Sequence, residues 1–475
     1  MSTTILWLRQ DLRLTDNPAL EAACHSKRLV PVYIHDPALN DRWPPGAASK
    51  WWLHHSLSAL DRDLRHAGSR LILRTGPTAE VLGDLVKTCK ATRICWNRRY
   101  EPSLIDVDRE LKAVLQDSGL EVQTFNAGLL FEPWEIRRAA KEQPHAPYKV
   151  FTAYWRACSR VGVPGVMHER PDKLPVCSKE ILGERMEDLG LLPRIRWDAG
   201  LHELWQPGEK GALARLAQFL DDALLDYSGA RDRPAVSGTS RLSPHLHFGE
   251  IGPRQVFQAV QQREGHVRGS GAVSLETFLR QVGWREFAHH LLFHFPHTDH
   301  QPLNTRFNGF PWRHEYSDDL AAWQQGTTGI PLVDAGMREL WHTGWMHNRV
   351  RMVVASFLTK NLLIPWQEGA AWFWDTLVDA DLANNSLGWQ WVAGCGADAA
   401  PYFRIFNPVL QGEKFDPEGV YVRRWVPELD SLPSRYIHKP WSAPQSMQVH
   451  CTGYPPPVVD LKSSRERALS SYRRR

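Results

Sequence analysis

The sequence predicts an α/β N-terminal domain built on a doubly wound parallel five-stranded sheet, then a long connection, then an all-helical remainder. Three observations carry that prediction. Short apolar runs alternate with helical segments up to about residue 130. Prolines recur and periodicity weakens between about 131 and 205. Beyond about residue 206 strand patterns vanish, and helical ones follow one another to about residue 415. The expected units are 1–130, 131–205 and 206–475.

The runs ILWL (5–8), LVPVYI (29–34), RLIL (70–73), RICW (93–96) and EVQTF (121–125) are short, apolar and suited to strands buried on both faces. Between them, Lys50–His66, Glu80–Lys90 and Ser103–Asp117 read as helices. In the last, Leu104, Val107, Leu111, Val114 and Leu115 follow helical spacing, and Gly119 suits the stop. No GxGxxG follows the first strand, so the sheet carries no dinucleotide fingerprint. The connection holds Pro133, Pro144, Pro147, Pro164, Pro171, Pro175 and Pro193 among mixed charges and reads as a linker rather than a third domain. The segment from Pro427 is Pro-rich and ends in YRRR, which reads as a frayed, solvated end in preference to a DNA-contacting tail.

Composition narrows the class. A formal net charge of +4 permits nucleic-acid binding without arguing for it, so a local basic patch would have to supply the attraction. The opening MSTTILWLRQDLRL has charges early and no long apolar run, unlike a signal peptide or a membrane span. Seven scattered cysteines without a CxxC pair read as reduced thiols of a cytoplasmic protein, with no structural metal expected.

Three stretches carry chemistry. Gly329–Pro408 packs tryptophans, arginines, asparagines and acids among helix formers, the mixture of an aromatic pocket with a few fixed polar groups. Asn348 and Met352 share a helix face with Arg351. Asp379 and Asp381 follow a helical run and precede Asn384 and Asn385. Trp389 and Trp391 come next, two residues apart. In YSGARDRPAVSGTSRLSPHLHFGEI (227–251), Thr239, Ser240 and Arg241 offer donors suited to a phosphate. An ordinary Ser/Thr-capped helix start is the better reading of that cluster taken alone. In LETFLRQVGWREFAHHLLFHFP (275–296), Gln281, Trp284 and Arg285 fall on adjacent turns of one helix. Glu286, His289 and His290 lack a second metal-spaced ligand set and read as core or surface groups. Most of the 21 tryptophans must be core, with Trp323, Trp341, Trp372 and Trp374 expected there.

Taken together, WLRQDLRLTDNPAL, SGTSRLSPHLHFGEI, WREFAHHL, GIPLVDAGMRELWHTGWMHNRVRM, DADLANNSLGWQW and DAAPYFRIFNP resemble, in order and nearly end to end, the blocks of the photolyase/cryptochrome family. The resemblance is nearest to the photolyases that act on cyclobutane pyrimidine dimers. It implies a helical domain holding a U-shaped FAD in its reduced form, FADH⁻. Excited by light, that cofactor gives one electron to a flipped-out dimer, the ring opens and the electron returns. The partner implied is DNA bearing such dimers, the protein a monomer without membrane attachment, in the cytoplasm and on the nucleoid when bound.

The resemblance also assigns roles. Tyr227 and the segment Thr239, Ser240, Arg241, Leu242 and Ser243 would hold the flavin phosphates. Asp379, Ala380 and Asp381 would border the isoalloxazine, with Arg351 paired to Asp379 and Asn385 facing N5. Phe278, Arg285 and Asn348 would complete the cofactor contacts. Trp389, Trp366 and Trp312 match the family's electron-relay tryptophans. Trp284 and Trp391 would stack on the lesion, and Arg231, Gln281, Asn348, Arg349, Met352 and Arg404 would touch lesion or DNA backbone. Gln281 stands where many dimer-repairing members have Glu. Folate-type members place a carboxylate where Leu104 stands, so methenyltetrahydrofolate, a deazaflavin, a flavin or no antenna all remain open. The alternatives to dimer repair are a blue-light photosensor and a (6-4) photolyase, which usually has histidine where Asn348 stands.

Overall fold

The computed structural model describes the chain except residues 1, 40–41, 139–145, 164, 166, 266, 400–402, 449–450 and 475. Pro144 and Pro164 of the connection, part of the DAAPYFRIFNP block and the last arginine of YRRR therefore lie outside the described residues.

Five strands, β1 (Thr3–Leu8), β2 (Arg28–His35), β3 (Ile72–Thr75), β4 (Arg93–Asn97) and β5 (Glu121–Phe125), form one parallel sheet in the order β3-β2-β1-β4-β5. Ile5 pairs with Val30 on one side and Ile94 on the other. The helices α1 (Pro18–Cys24), α2 (Ala47–His66), α3 (Thr78–Cys89) and α4 (Pro102–Asp117) cover both faces. Alternation along β1 explains the two layers. Leu6 and Leu8 join Leu20 and Trp52 in one apolar cluster, while Ile5 and Trp7 join Ile72, Leu82 and Leu111 in the other. β1 and β3 each depart by two residues from their expected starts, β1 beginning at Thr3 rather than Ile5 and β3 at Ile72 rather than Arg70.

The connection is more ordered than its sequence reads. It contains α5 (Phe151–Val161), which buries Phe151, Tyr154 and Cys158 along one face. Leu174, Leu189, Leu191, Leu201 and Trp205 sink into the cluster beneath α1 and α2, together with Phe248, Trp345 and Val378 of the helical part. The linker therefore cements the two parts.

The helical part places the site with α6 (Ser243–His247), α7 (Ser270–His294), α8 (Pro331–Thr343), α9 (Asn348–Ser356), α10 (Trp366–Thr376), α11 (Leu382–Ala393), α12 (Pro408–Phe415) and α13 (Leu461–Arg473). Two expectations need correction. The C-terminal segment is not frayed: α13 buries Ala468, Tyr472 stacks on Phe403 at 4.3 Å, and Asn361 Nδ2 donates to Ser464 Oγ at 2.8 Å. Trp323 is core, but Trp341 is 59% exposed and stacks on Trp372 at 6.0 Å, and Trp372 and Trp374 are only part-buried. Among the described residues no helix is long and apolar enough to cross a membrane.

Candidate functional site

The site is built where α9, α10 and α11 meet. His347 caps α9: its Nδ1 accepts the Arg349 amide at 3.2 Å. That start fixes the faces of the helix. Arg351 turns inward, its Nη2 reaching both carboxylate oxygens of Asp379 at 3.1 and 2.9 Å, while its Nε donates to Met346 O at 2.8 Å. Asn348 stays exposed at the rim, its Nδ2 3.9 Å from Met352 Sδ.

Asp381, two residues beyond Asp379, has a different setting. It caps α11, accepting the Asn384 amide at 2.9 Å, and two imidazoles approach it: His247 Nδ1 at 3.5 Å and His289 Nε2 at 3.6 Å. Burial works against ionisation here, but His289 and His247 outweigh it and hold the Asp381 carboxyl well below the usual range. Ala380 between the two acids is buried.

The phosphate-type donors lead up to Arg241, which lies against Trp345. Tyr227 meets Phe278 edge-on at 5.3 Å, both buried. A Cβ at Gly238 would lie 2.6 Å from Ala230 Cβ, so glycine lets the 238–243 segment press onto the turn after Tyr227. Arg241 adopts a left-handed φ of 51°. The capped-helix reading of this stretch is not realised. Leu242, not a hydroxyl residue, is the N-cap of α6, and no side chain caps it, while Ser240 Oγ accepts the Leu242 amide at 3.4 Å and Ser243 is exposed. Arg241 and Arg351 both lie over the Trp345 indole, at 4.7 and 5.9 Å, so this ring is shared by the two cationic groups. Nothing in the spacing of the tryptophans singled out Trp345. His247 and His289 were likewise missed as site groups.

Trp366 and Trp389 are buried in one apolar cluster with Trp312 packed against it. A Cβ at Gly369 would come within 2.1 Å of Trp389 Cη2, so this glycine is what lets the indole lie against α10. Phe373 and Trp323 flank Trp389 at 5.0 and 6.2 Å. Asn385 Nδ2 donates to Ala370 O at 3.0 Å, which ties α11 to α10. Trp389 and Trp391 stand on a helix rather than an extended chain. Two residues of helix turn the side chains apart, as an extended chain would not, leaving Trp389 buried and Trp391 part-exposed with its Nε1 on Asp398 O at 3.2 Å.

At the rim, Arg231 Nη2 donates to Gln281 Oε1 at 3.3 Å, joining two expected contacts. Trp284 lies flat on Phe151 of α5 at 3.9 Å, so one of its faces is covered by the connection. Arg349 pairs with Asp232 at 2.9 Å, and Arg404 is exposed. Arg285 instead faces the N-terminal domain, donating to Gly128 O at 2.7 Å. The neighbouring metal-like trio has structural partners. Glu286 accepts the Leu130 and Phe131 amides at 2.8 and 3.2 Å, His290 Nε2 accepts the Tyr148 amide at 3.0 Å, and His289 Nδ1 lies 3.0 Å from Arg285 O.

The donor set fits FAD: hydroxyls, backbone amides and Arg241 suit phosphates, and the Arg351–Asp379 pair and Asn385 suit the edge of a polar ring. Comparison with known proteins agrees. The DNA photolyase family profile matches residues 4–174, and that of the FAD binding domain of DNA photolyase matches residues 278–474. The chain is 46% identical to a deoxyribodipyrimidine photo-lyase of Agrobacterium fabrum, over 98% of this chain and 97% of that protein. It is 41% identical to Cryptochrome-2 of Arabidopsis thaliana, over 98% of this chain and 77% of that protein. A bacterial class III photolyase from Agrobacterium tumefaciens superposes with a TM-score of 0.94 at 46% identity, covering 100% of this chain and 98% of that one.

Proposed function

The chain belongs to the photolyase/cryptochrome family, and from that premise we propose that it is a DNA-repair enzyme that splits cyclobutane pyrimidine dimers under blue or near-UV light. FAD would be held by Tyr227, the 239–243 segment, Arg351, Asp379 and Asn385. Bound and reduced, it supplies the light-driven electron that opens the dimer. The chain does the rest. Trp284 offers its uncovered face, and with Trp391 supplies stacking of roughly 1–3 kcal/mol per base. Arg231, Arg349 and Arg404 take phosphates and set register without reading sequence. A dimer is already distorted, so extruding it costs less than flipping a normal pair. Trp389, Trp366 and Trp312 would form the path by which electrons reach the cofactor when it is bound in its oxidised form. Trp389→Phe then slows photoreduction while repair by pre-reduced enzyme persists; equal photoreduction in the variant would refute the relay.

The rim of α9 carries the choice of lesion. Asn348 and Met352 present a hydrogen-bonding amide and a polarizable thioether. Neither is a general acid at neutral pH, and (6-4) repair needs one. The adjacent imidazole cannot substitute. His347 is buried, its Nδ1 is occupied by the Arg349 amide, and burial pushes its pKa down to about 4. The test gives reduced protein oligonucleotides bearing each lesion under blue light. Dimer repair alone is expected. Repair of the (6-4) lesion alone would overturn the assignment, and repair of neither with FAD bound would make the protein a photosensor.

A further inference from the structure

The block WLRQDLRLTDNPAL supplies the loop from β1 to α1, and Arg13 in that loop is 1% exposed. Burial pulls its pKa down, against the carboxylates of Asp16, Asp11 and Glu209. A buried charge is costly unless its donors are met. Here they are met by carbonyls from separate stretches of chain. Nε donates to Thr15 O at 2.9 Å, Nη2 to Asp16 O at 2.7 Å and to Ala127 O at 3.0 Å, and Nη1 to Gly249 O at 2.9 Å. The ion pair with Asp16 is long, 3.9 Å, and Asp16 also has Arg254 Nε at 3.4 Å. The guanidinium is thus held to bind backbone rather than to answer a carboxylate.

The Gly249 carbonyl connects Arg13 to the site. It stands just beyond α6, and α6 begins in the 239–243 segment that would hold the flavin phosphates. Here the N-terminal domain and the helical part meet backbone to backbone. Leu12 N donates to Phe248 O at 3.2 Å, and a Cβ at Gly249, whose φ is 66°, would lie 2.6 Å from Asp11 Cα. Two more side chains of the N-terminal domain reach the same stretch. Gln10 Nε2 lies 3.2 Å from His247 Nε2, and Trp52 Nε1 donates to Glu250 Oε1 at 2.9 Å. At its other end the stretch is held by packing, Gly238 on Ala230 and Arg241 over Trp345, and no side chain caps α6. Hydrogen bonds from the N-terminal domain thus cluster at the C-terminal end of the stretch.

We propose that Arg13 is a positioning residue for the cofactor: by holding Gly249 O it sets α6, and through α6 the segment that takes the flavin phosphates. The N-terminal domain then helps to retain FAD without touching it. The inference rests on the reading that the 239–243 segment holds those phosphates.

The test follows release of FAD from the full chain, as recovery of free-flavin fluorescence after dilution, below the onset of unfolding. Arg13→Met removes the bond to Gly249 and leaves Asp16 its Arg254 partner. It should release FAD at least about tenfold faster than the natural chain. Arg13→Lys, which can still donate to Gly249 O, should release it at an intermediate rate. In Arg13→Met the phosphorus resonances of the bound pyrophosphate should move, while the flavin absorption bands, set at the Arg351–Asp379 end, stay in place. Ile94→Ala weakens the same domain without touching Arg13 and should release FAD at the natural rate. Should Arg13→Met fail to fold, Gln10→Ala probes the same stretch from its half-buried edge, with release expected roughly threefold faster. A natural release rate in the folded Arg13→Met variant, or in Gln10→Ala where only that one folds, would overturn the inference and leave the FAD reading standing. So would faster release with unmoved phosphorus resonances, or equal acceleration by Ile94→Ala. A natural chain that binds no FAD removes both the cofactor reading and this inference.

Discussion

Beneath the sheet, the buried groups are Ile5, Val30, Val32, Ile72, Ile94 and Trp96, packed apolar against apolar. Between α9 and α11 they are Asp379 against Arg351 and Asp381 against His247 and His289. The first region is ordered by area removed from water, the second by charges that hold one another in place. A buried ion pair is a weak stabiliser compared with apolar packing of the same volume. Its presence at the centre of the helical part therefore points to a ligand; beside the sheet layer the ion pair is Arg9 with Asp108 at 2.6 Å, just past the end of β1.

Breaking either region should be costly, for different reasons. Asp379→Asn strands the part-buried Arg351 guanidinium and should destabilise by up to about 3 kcal/mol, with loss of bound FAD, read by denaturant melts and flavin absorbance. A loss of stability with full FAD content would show that the pair serves the fold alone. Ile94→Ala leaves a cavity beside β1 and should cost about 2–5 kcal/mol, yet the folded fraction should keep one FAD per chain. Flavin loss from that folded fraction would erase the distinction between the regions.

Acid should separate them more gently. Burial lowers His347 to about 4 and His290 to about 3 from 6.5. Both lie in the helical part; in the sheet domain burial lowers His55 of α2 to about 4 as well, so the histidine variant, not the slope alone, tells the regions apart. Between the folded values and 6.5 the unfolded chain binds more protons, so stability is complete above about 6.5 and is lost as pH falls, by up to about 1.4 kcal/mol per unit for each group. Unfolding midpoints at about pH 7 and about pH 5 measure this. His347→Gln, which keeps an acceptor at the cap, should flatten part of the slope. An unaltered slope would assign the acid sensitivity elsewhere.

The sheet was legible because strands buried on both faces are written as contiguous apolar runs. Beyond it, legibility failed wherever a partner lay far along the chain. The helix α5 shows only Phe151, Tyr154 and Cys158 on its buried face, and the stacking of Phe151 on Trp284 is invisible to any window. His289 reads as a plain core histidine until Asp381 is brought to it. Trp345 is one tryptophan among 21 until Arg241 and Arg351 are seen over it. The pairing of Arg351 with Asp379 came from family resemblance, since their separation in sequence specifies no contact. The docking of α13 was missed because prolines before it read as fraying, while the Asn361–Ser464 bond that anchors it is non-local.

The most direct test of the contrast replaces the charged pair by apolar side chains of similar volume, Arg351→Met with Asp379→Leu, and measures FAD released per chain on heating alongside the unfolding midpoint. Removing both charges together avoids stranding either one, and such exchanges are often neutral or stabilising. The account predicts a midpoint equal to or above that of the natural chain, with FAD content reduced to a small fraction. A double variant that keeps stoichiometric FAD would contradict it.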